Sequence, residues 1–510
     1  MSDDNRDEDE QDPTAVRRGG PQLIAYADRF GGSISGVTQL LRGALKGAFT
    51  GVHLLPFYTP FDGADAGFDP RDHTAIDPRL GDWPDIQDLA RSHDVMADVI
   101  VNHMSTDAAP FRDVVEKGDA SPWAEMFLTM SSVFPNGATE SELTAVYRPR
   151  PGLPFTPMYL GEVRRLVWTT FTSQQVDLDV RSGKTWAYLT GIVDTLSRAG
   201  VRMLRLDAVG YVVKTAGTSC FMTPETLEFV RRLRDYAHQH GVRVLLEIHA
   251  PYQQQLAGAS NADFIYDFAL PPLVLHALMS HDFTPLTSWL EQRPRNTVTV
   301  LDTHDGIGIV DAGPTGDQPG LLDREQLNAL VAGIHANSKG TSKSATGAAA
   351  SNLDLYQVNC TFYDALGRDD GAYLLARLVQ LFVPGVPQVY YVGLLAGHND
   401  VELLQRTGVG RDINRHHYSA AEIDAALGSR IVQDQLTALR FRASHPAFTG
   451  SFTYKLEGTS FELRWQQGDE TARLSVDTRT LDFLVAATSR SGDAIPVSRS
   501  NFHDLDSLSA

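Results

Sequence analysis

The 510-residue chain holds only two cysteines, Cys220 and Cys360, too few for a disulfide framework or a four-cysteine zinc site. They are expected as reduced core thiols. Positive charge is also scarce: 44 Lys and Arg face 63 Asp and Glu, a net −19. That balance argues against a basic groove for nucleic acid. No long apolar run is present either. The longest stretch without a formal charge, residues 378–399, is broken by Pro384, Gly385 and Pro387 and carries Gln380, Gln388 and His398. It is a poor membrane span, and the acidic N-terminus lacks the apolar stretch of a secretory signal. A soluble cytoplasmic protein without nucleic-acid or membrane partners is expected. What the chain does have is apolar bulk, 42% hydrophobic and 9% aromatic, enough for a large core.

Residues 1–20, where seven acids crowd positions 3–12 against the single Arg6, read as a disordered tail. Beyond them, short apolar runs at 23–26, 52–55, 95–101, 201–206, 242–248, 264–268, 297–301 and 389–392 read as strands. Several are nearly continuous, as in a parallel sheet covered on both faces. Helices separate them. Trp186, Leu189, Val193 and Leu196 share one helical face before Gly200, and Thr223-Pro224-Glu225 opens a second helix that Gly241 closes. Eight strands alternating with helices predict a (β/α)8 TIM barrel. An open dinucleotide-binding sheet would need a Gly-x-Gly-x-x-Gly after a strand, and none occurs. Wide gaps after the third and seventh strands mark two insertions. The expected division is barrel at 21–100, 182–306 and 369–449, insertions at 101–181 and 307–368, and a small C-terminal β domain at 450–510. Alternation in Phe452/Tyr454/Leu456, Phe461/Leu463/Trp465 and Leu474/Val476 carries that last expectation.

Charged groups end these strands: Asp98 with Asn102 and His103, Arg205 with Asp207, Glu247 with His249, and Asp302 with His304 and Asp305. In a barrel such positions face the catalytic mouth. Asp207 and Glu247 lie one repeat apart, so they end neighbouring strands. Retaining glycosidases hold two carboxyls about 5–5.5 Å apart, close to the ~4.8 Å strand spacing. Arg205 shares a strand face with Asp207 and is expected to keep it ionised. Glu247, crowded by carboxylates, is expected to carry the raised pKa of an acid. Asp305 is a third carboxylate, available to steady an oxocarbenium-like transition state.

Longer segments carry a resemblance. "PFYTPFDGADAGFDPRDH" (56–73), "YRPRPGLPF" (147–155), "RLDAVGY" (205–211), "AGTSCFMTP" (216–224), "VLDTHDGIG" (300–308), "ATGAAASNLDLYQVN" (345–359) and "GRDINRHHYS" (410–419) resemble the sucrose phosphorylase branch of the α-amylase superfamily. The resemblance implies retaining glucosyl transfer from sucrose to inorganic phosphate, yielding α-D-glucose 1-phosphate and fructose, with transfer to other acceptors as well. It implies Asp207 as nucleophile, Glu247 as acid/base and Asp305 as stabiliser. Asp65, His103, Arg205, His304 and Arg415 would hold the glucosyl ring, Phe68 would be an apolar platform, and Phe171, Gln175 and Tyr211 would line the site. The acceptor side would use Tyr147, Pro149, Arg150, His249, Leu353, Asp354, Tyr356 and Gln357. Arg150 would offset the repulsion between phosphate and the carboxylates, with the role of Arg148 left open. The small residues of 340–351 suggest a mobile loop. No metal and no cofactor are expected, Asn102 and His103 resembling superfamily ion-binding positions only loosely, and a homodimer is carried as an expectation because the family includes them. The alternatives are a phosphorylase for sucrose 6′-phosphate, glucosylglycerol or glucosylglycerate, a hydrolase using water, and a non-catalytic barrel acting in assembly.

Overall fold

Eight strands close into a parallel barrel in a computed structural model that describes residues 19–60, 65–148, 152–347, 356–488, 494–498 and 502–505. They are β1 (Gln22–Ala25), β2 (Gly51–Leu54), β3 (Asp94–Ile100), β4 (Val201–Asp207), β5 (Arg243–Leu246), β6 (Phe264–Asp267), β7 (Thr297–Thr299) and β8 (Val386–Tyr390). Each pairs with its neighbours in chain order, and β8 closes on β1 through Gln22↔Gln388. The apolar runs are buried on both faces: Val201, Met203, Leu204 and Leu206 of β4, and Val244, Leu245 and Leu246 of β5. Seven strands lie where the apolar runs stand. The eighth is displaced. It begins at Val386 rather than 389, in register with Val298 of β7, and Tyr391–Leu394 turns into a short helix. Pro387 reads as a breaker, yet proline is tolerated near the start of a strand, where few ladder bonds are lost.

The helices follow local chemistry. Gly183–Arg198 is capped by the Ser182 hydroxyl and ends where Gly200 takes φ +90°, a conformation that favours glycine. Pro224–Gln239 starts on the Thr223 side chain with proline in its first turn. Ser419 and Glu422 form a reciprocal capping box for Ala420–Leu427.

Between β3 and β4 lie an antiparallel pair, His103–Ser105 with Gln175–Asp177, and a hairpin, Phe155–Leu160 with Val163–Trp168. They enclose a separate apolar cluster that includes Met104, Phe111, Met126, Phe127 and Val167. Between β7 and β8 the pair Ile307–Gly308 and Gln357–Val358 brackets the helices Arg324–Asn337 and Thr341–Thr346. The latter helix occupies half of the segment expected as a mobile loop, and 348–351 lie outside the described residues. The C-terminal sheet runs antiparallel in chain order: β9 (Ser451–Glu457), β10 (Ser460–Gln467), β11 (Glu470–Asp477), β12 (Phe483–Thr488) and β13 (Ala494–Ser498). Phe461, Leu463, Trp465, Leu474 and Val476 are buried, and the Trp465 indole donates to the Phe382 carbonyl at 2.6 Å. Both cysteines are free and buried. Among the described residues no helix is long and apolar enough to cross a membrane.

Candidate active site

Asp207 ends β4, and Arg205 stands two residues earlier on the same face. The Arg205 guanidinium donates from Nη1 to Asp98 Oδ1 at 2.6 Å and to Asp207 Oδ1 at 2.9 Å, while its Nη2 lies 3.8 Å from Glu247 Oε1. Asp98 reaches Arg205 from mid-β3 and also takes His53 Nε2 of β2 at 2.9 Å. Burial opposes ionisation of Asp98, but His53 and Arg205 outweigh it and hold its pKa at about 2. One buried cation thus ties three strands together behind two carboxylates.

Directly after Asp207 the chain takes a left-handed turn at Ala208, φ +55°, sparsely populated for a residue with a side chain. The turn aims the Ala208 N–H at Glu247 Oε2, 3.1 Å away, and leads into the single turn that carries Tyr211. A side chain at Gly210 would meet the Phe221 ring at 2.5 Å, so the close approach requires glycine. Burial pushes the Asp207 carboxyl well above the usual range, opposed by Arg205 and reinforced by the charges of Glu247, Asp98 and Asp65. This corrects the expectation that Arg205 by itself keeps Asp207 in the ordinary carboxylate range: strand order does not reveal how deeply the carboxylate is desolvated.

Asp305 closes the third side. Arg411 Nη1 lies 2.8 Å from its Oδ1, Arg415 Nη2 and His304 Nε2 at 3.8 Å, and His249 Nε2 3.9 Å from Oδ2. Burial would protonate Asp305, but its neighbours, Arg411 foremost, outweigh it and hold it far below the carboxylate range. His304 stacks on Phe68 at 4.7 Å, and burial pushes its pKa far down.

Eleven of the residues named from sequence line one cavity: Asp65, Phe68, His103, Phe171, Asp207, Tyr211, Glu247, His249, His304, Asp305 and Tyr356. Others stand behind it. Gln175 donates to Asp65 Oδ2 at 2.8 Å, and Gln357 accepts from Arg411 Nη2 at 3.2 Å. Tyr147 packs on Phe221 at 4.5 Å. Arg415 is fully buried, with its Nε on the His304 carbonyl at 2.8 Å. Pro149, Arg150, Leu353 and Asp354 lie outside the described residues. Arg148 Nε and Nη1 are buried with no partner among the described residues.

Sequence reasoning missed Arg411, Phe221 and Asp311, of which the first two line the cavity and the third supports His249. Arg411 and Phe221 sit inside quoted motifs, at 410–419 and 216–224, where neighbouring residues were read instead. Asp311 follows its motif by three residues and left no signal.

Ligating atoms of Glu247, His249 and Asp305 come within 4.8 Å of one another. The cations already beside these carboxylates are the protein's own, Arg205 3.8 Å from Glu247 and Arg411 2.8 Å from Asp305. At Asn102 the positive charge is the protein's own: the Lys214 ammonium bridges Asn102 Oδ1 and Asp177 Oδ2, each at 2.7 Å.

The family model "Alpha amylase, catalytic domain" matches residues 2–280. A sucrose phosphorylase of Bifidobacterium adolescentis is 53% identical over 465 residues, covering 90% of this chain and 92% of that protein. One from Agrobacterium vitis is 54% identical over 459 residues, covering 89% and 94%. The crystal structure of sucrose 6F-phosphate phosphorylase from Thermoanaerobacter thermosaccharolyticum superposes with a TM-score of 0.87 at 34% identity, over 95% of this chain and 99% of that one.

Proposed function

The chain belongs to the α-amylase family, in its sucrose phosphorylase branch, and from that premise we propose how its residues carry out the reversible phosphorolysis of sucrose to α-D-glucose 1-phosphate and fructose. It is a retaining glucosyltransferase. Asp207 attacks the anomeric carbon of the glucosyl unit while Glu247 protonates the departing fructose oxygen, giving a β-glucosyl enzyme. Phosphate then attacks from the face that fructose left, Glu247 takes its proton, and two inversions restore the α configuration. The observation that carries this reading is the single Arg205 guanidinium lying 2.9 Å from Asp207 and 3.8 Å from Glu247. It bounds both carboxylates to one short span, as a covalent route needs. Asp305, kept anionic by Arg411, His249 and Arg415, steadies the positive charge that develops on the ring. His103, His304, Asp65 and Arg411 surround the ring hydroxyls, with Phe68 and Phe171 as apolar walls.

The identity of 53–54% to two sucrose phosphorylases, against 37% to a sucrose 6F-phosphate phosphorylase, favours sucrose itself over its phosphate. The test is incubation of sucrose with and without phosphate. Fructose released together with glucose 1-phosphate, and little free glucose, supports the reading; free glucose at the same rate in both incubations makes the protein a hydrolase.

Two further parts of the reading concern setting. A charged product made in the cytoplasm is retained there, which favours a cytoplasmic location. For a homodimer, the support is the exposed set Val115, Leu153, Tyr159, Val163 and Leu166, gathered on and beside the hairpin of the first insertion. Glu162 and Arg164 beside them offer opposite charges to a second copy related by a two-fold axis. Tyr159→Glu should then give a monomer in light scattering; an unchanged mass would remove this face from the interface.

A further inference from the structure

His249 is held from three sides. Its ring stacks on Phe268 with centroids 3.7 Å apart and planes within 11°, and Tyr356 meets it edge-on at 5.7 Å. Its Nδ1 lies 3.2 Å from Asp311 Oδ2. The remaining nitrogen, Nε2, is buried, has no hydrogen-bond partner among the described residues, and stands 3.8 Å from Glu247 Oε1 and 3.9 Å from Asp305 Oδ2. It is a polar atom aimed into the cavity.

Asp311 is built for this contact. It sits in the single turn Val310–Ala312 of the second insertion and is fully buried. Two N–H donors converge on its Oδ1, Ala250 N at 3.2 Å and Gln255 Nε2 at 2.9 Å, leaving Oδ2 for the histidine. At Gly308 a Cβ would come 2.0 Å from Oδ2, so a side chain there would displace the carboxylate. An oxygen with this surrounding is an acceptor, so His249 Nδ1 carries a hydrogen. A neutral ring then has a bare lone pair at Nε2, facing Glu247 and Asp305. Only the imidazolium presents a hydrogen to the cavity there. Of the ionisable groups facing the ring, Asp311, Glu247 and Asp305 favour that cation and the Tyr356 phenol is neutral. Burial opposes the charge, and the three carboxylates outweigh it, raising the pKa of His249.

We propose that Asp311 is a positioning residue for the phosphate step: it holds His249 as an imidazolium whose Nε2–H meets the attacking phosphate, and so sets the partition of the glucosyl enzyme between phosphate and water. The proposal rests on the phosphorylase reading above. An anion entering among carboxylates gains from a fixed buried cation, whereas water, being neutral, gains little. Asp311 touches neither substrate nor reacting atoms in this scheme; it acts through His249.

The test is Asp311→Asn, assayed for phosphorolysis and for sucrose hydrolysis without phosphate over a range of pH, each value divided by wild type so that the titration of phosphate itself cancels. In that variant Ala250 N and Gln255 Nε2 claim the amide oxygen and the amide nitrogen faces Nδ1, so no carboxylate stabilises the cation and the pKa of His249 falls. At pH 7 the KM for phosphate should rise roughly tenfold, the worth of one charge-assisted contact, with hydrolysis changed by no more than about twofold. At lower pH, where His249 is protonated again, phosphate use should recover. A merely structural role would not move with pH. In a His249→Gln background Asp311→Asn should have no further effect on the phosphate-to-water ratio. If Asp311→Asn does not fold, 15N NMR of the wild-type enzyme decides, with the His249 resonance identified by its loss in His249→Gln: both ring nitrogens should be protonated at pH 7. A neutral His249, or a phosphate-to-water ratio that Asp311→Asn leaves unchanged at every pH, overturns the proposal. Wild-type enzyme that ignores phosphate overturns the functional reading instead.

Discussion

Replacing Arg205 by lysine tests what opposes protonation of the nucleophile. The guanidinium is 2% exposed and serves Asp98 at 2.6 Å and Asp207 at 2.9 Å from one nitrogen, with Glu247 at 3.8 Å from the other. A lysine ammonium is a point charge without the planar fork, and it cannot hold all three. Asp98, fully buried and bonded to His53, is the partner it would keep. Losing the charge-assisted contact to Asp207 removes roughly 1.5–3 kcal/mol, which is about 10- to 150-fold in kcat/KM for sucrose if the contact is fully felt in the transition state. The pH profile adds a sign. Burial raises the pKa of Asp207 and Arg205 opposes that rise. Weakening Arg205 raises it further, so the acid limb of kcat/KM should move to higher pH. Activity would then be lost first on the acid side and partly regained on the alkaline side. Thermal unfolding controls for damage to the fold. A well-folded variant whose acid limb stays in place would show that Arg205 does not set the ionisation of Asp207.

Three further outcomes are expected. Glu247→Gln should slow sucrose cleavage by about 10²- to 10⁴-fold while sparing α-glucosyl fluoride, whose leaving group needs little protonation; equal losses on both would remove the acid assignment. Asp98→Asn should cost roughly 3–5 kcal/mol of stability at neutral pH by breaking a buried ion pair. Because the folded pKa of Asp98 is depressed to about 2, its contribution is full above the ordinary carboxylate value and fades as pH falls toward 2, so urea midpoints of variant and wild type should converge in acid. Arg150→Ala should lower phosphorolysis by about 10- to 150-fold and hydrolysis less; equal losses would make Arg150 a shape-holding residue rather than a phosphate contact.

How much of this was legible in the sequence divides along physical lines. Apolar runs ending in Asp207, Glu247 and the 302–305 segment announce barrel strands with a polar mouth, because burial on both faces erases alternation and leaves the charge at the end. Loops have no such period. Arg411 and Phe221 therefore stayed silent beside better-read neighbours such as Arg415, although both line the cavity. Asp311 is invisible without the chain path that brings it under His249, 62 positions away. The raised pKa of Asp207 also escaped, since it depends on desolvation and on the charges of Glu247, Asp98 and Asp65 around it. β8 begins three residues before the apolar run at 389–392, because a strand tolerates proline near its first position.

The central claim, a glucosyl enzyme on Asp207, is most directly tested by trapping. Glu247→Gln enzyme can be charged with α-glucosyl fluoride, quenched in acid, digested and sequenced by mass spectrometry. With no acid/base to activate an acceptor, the intermediate should accumulate, and one added hexosyl group should map to Asp207. Labelling at another carboxylate such as Asp305, or turnover of the fluoride with no labelled peptide, would contradict the account.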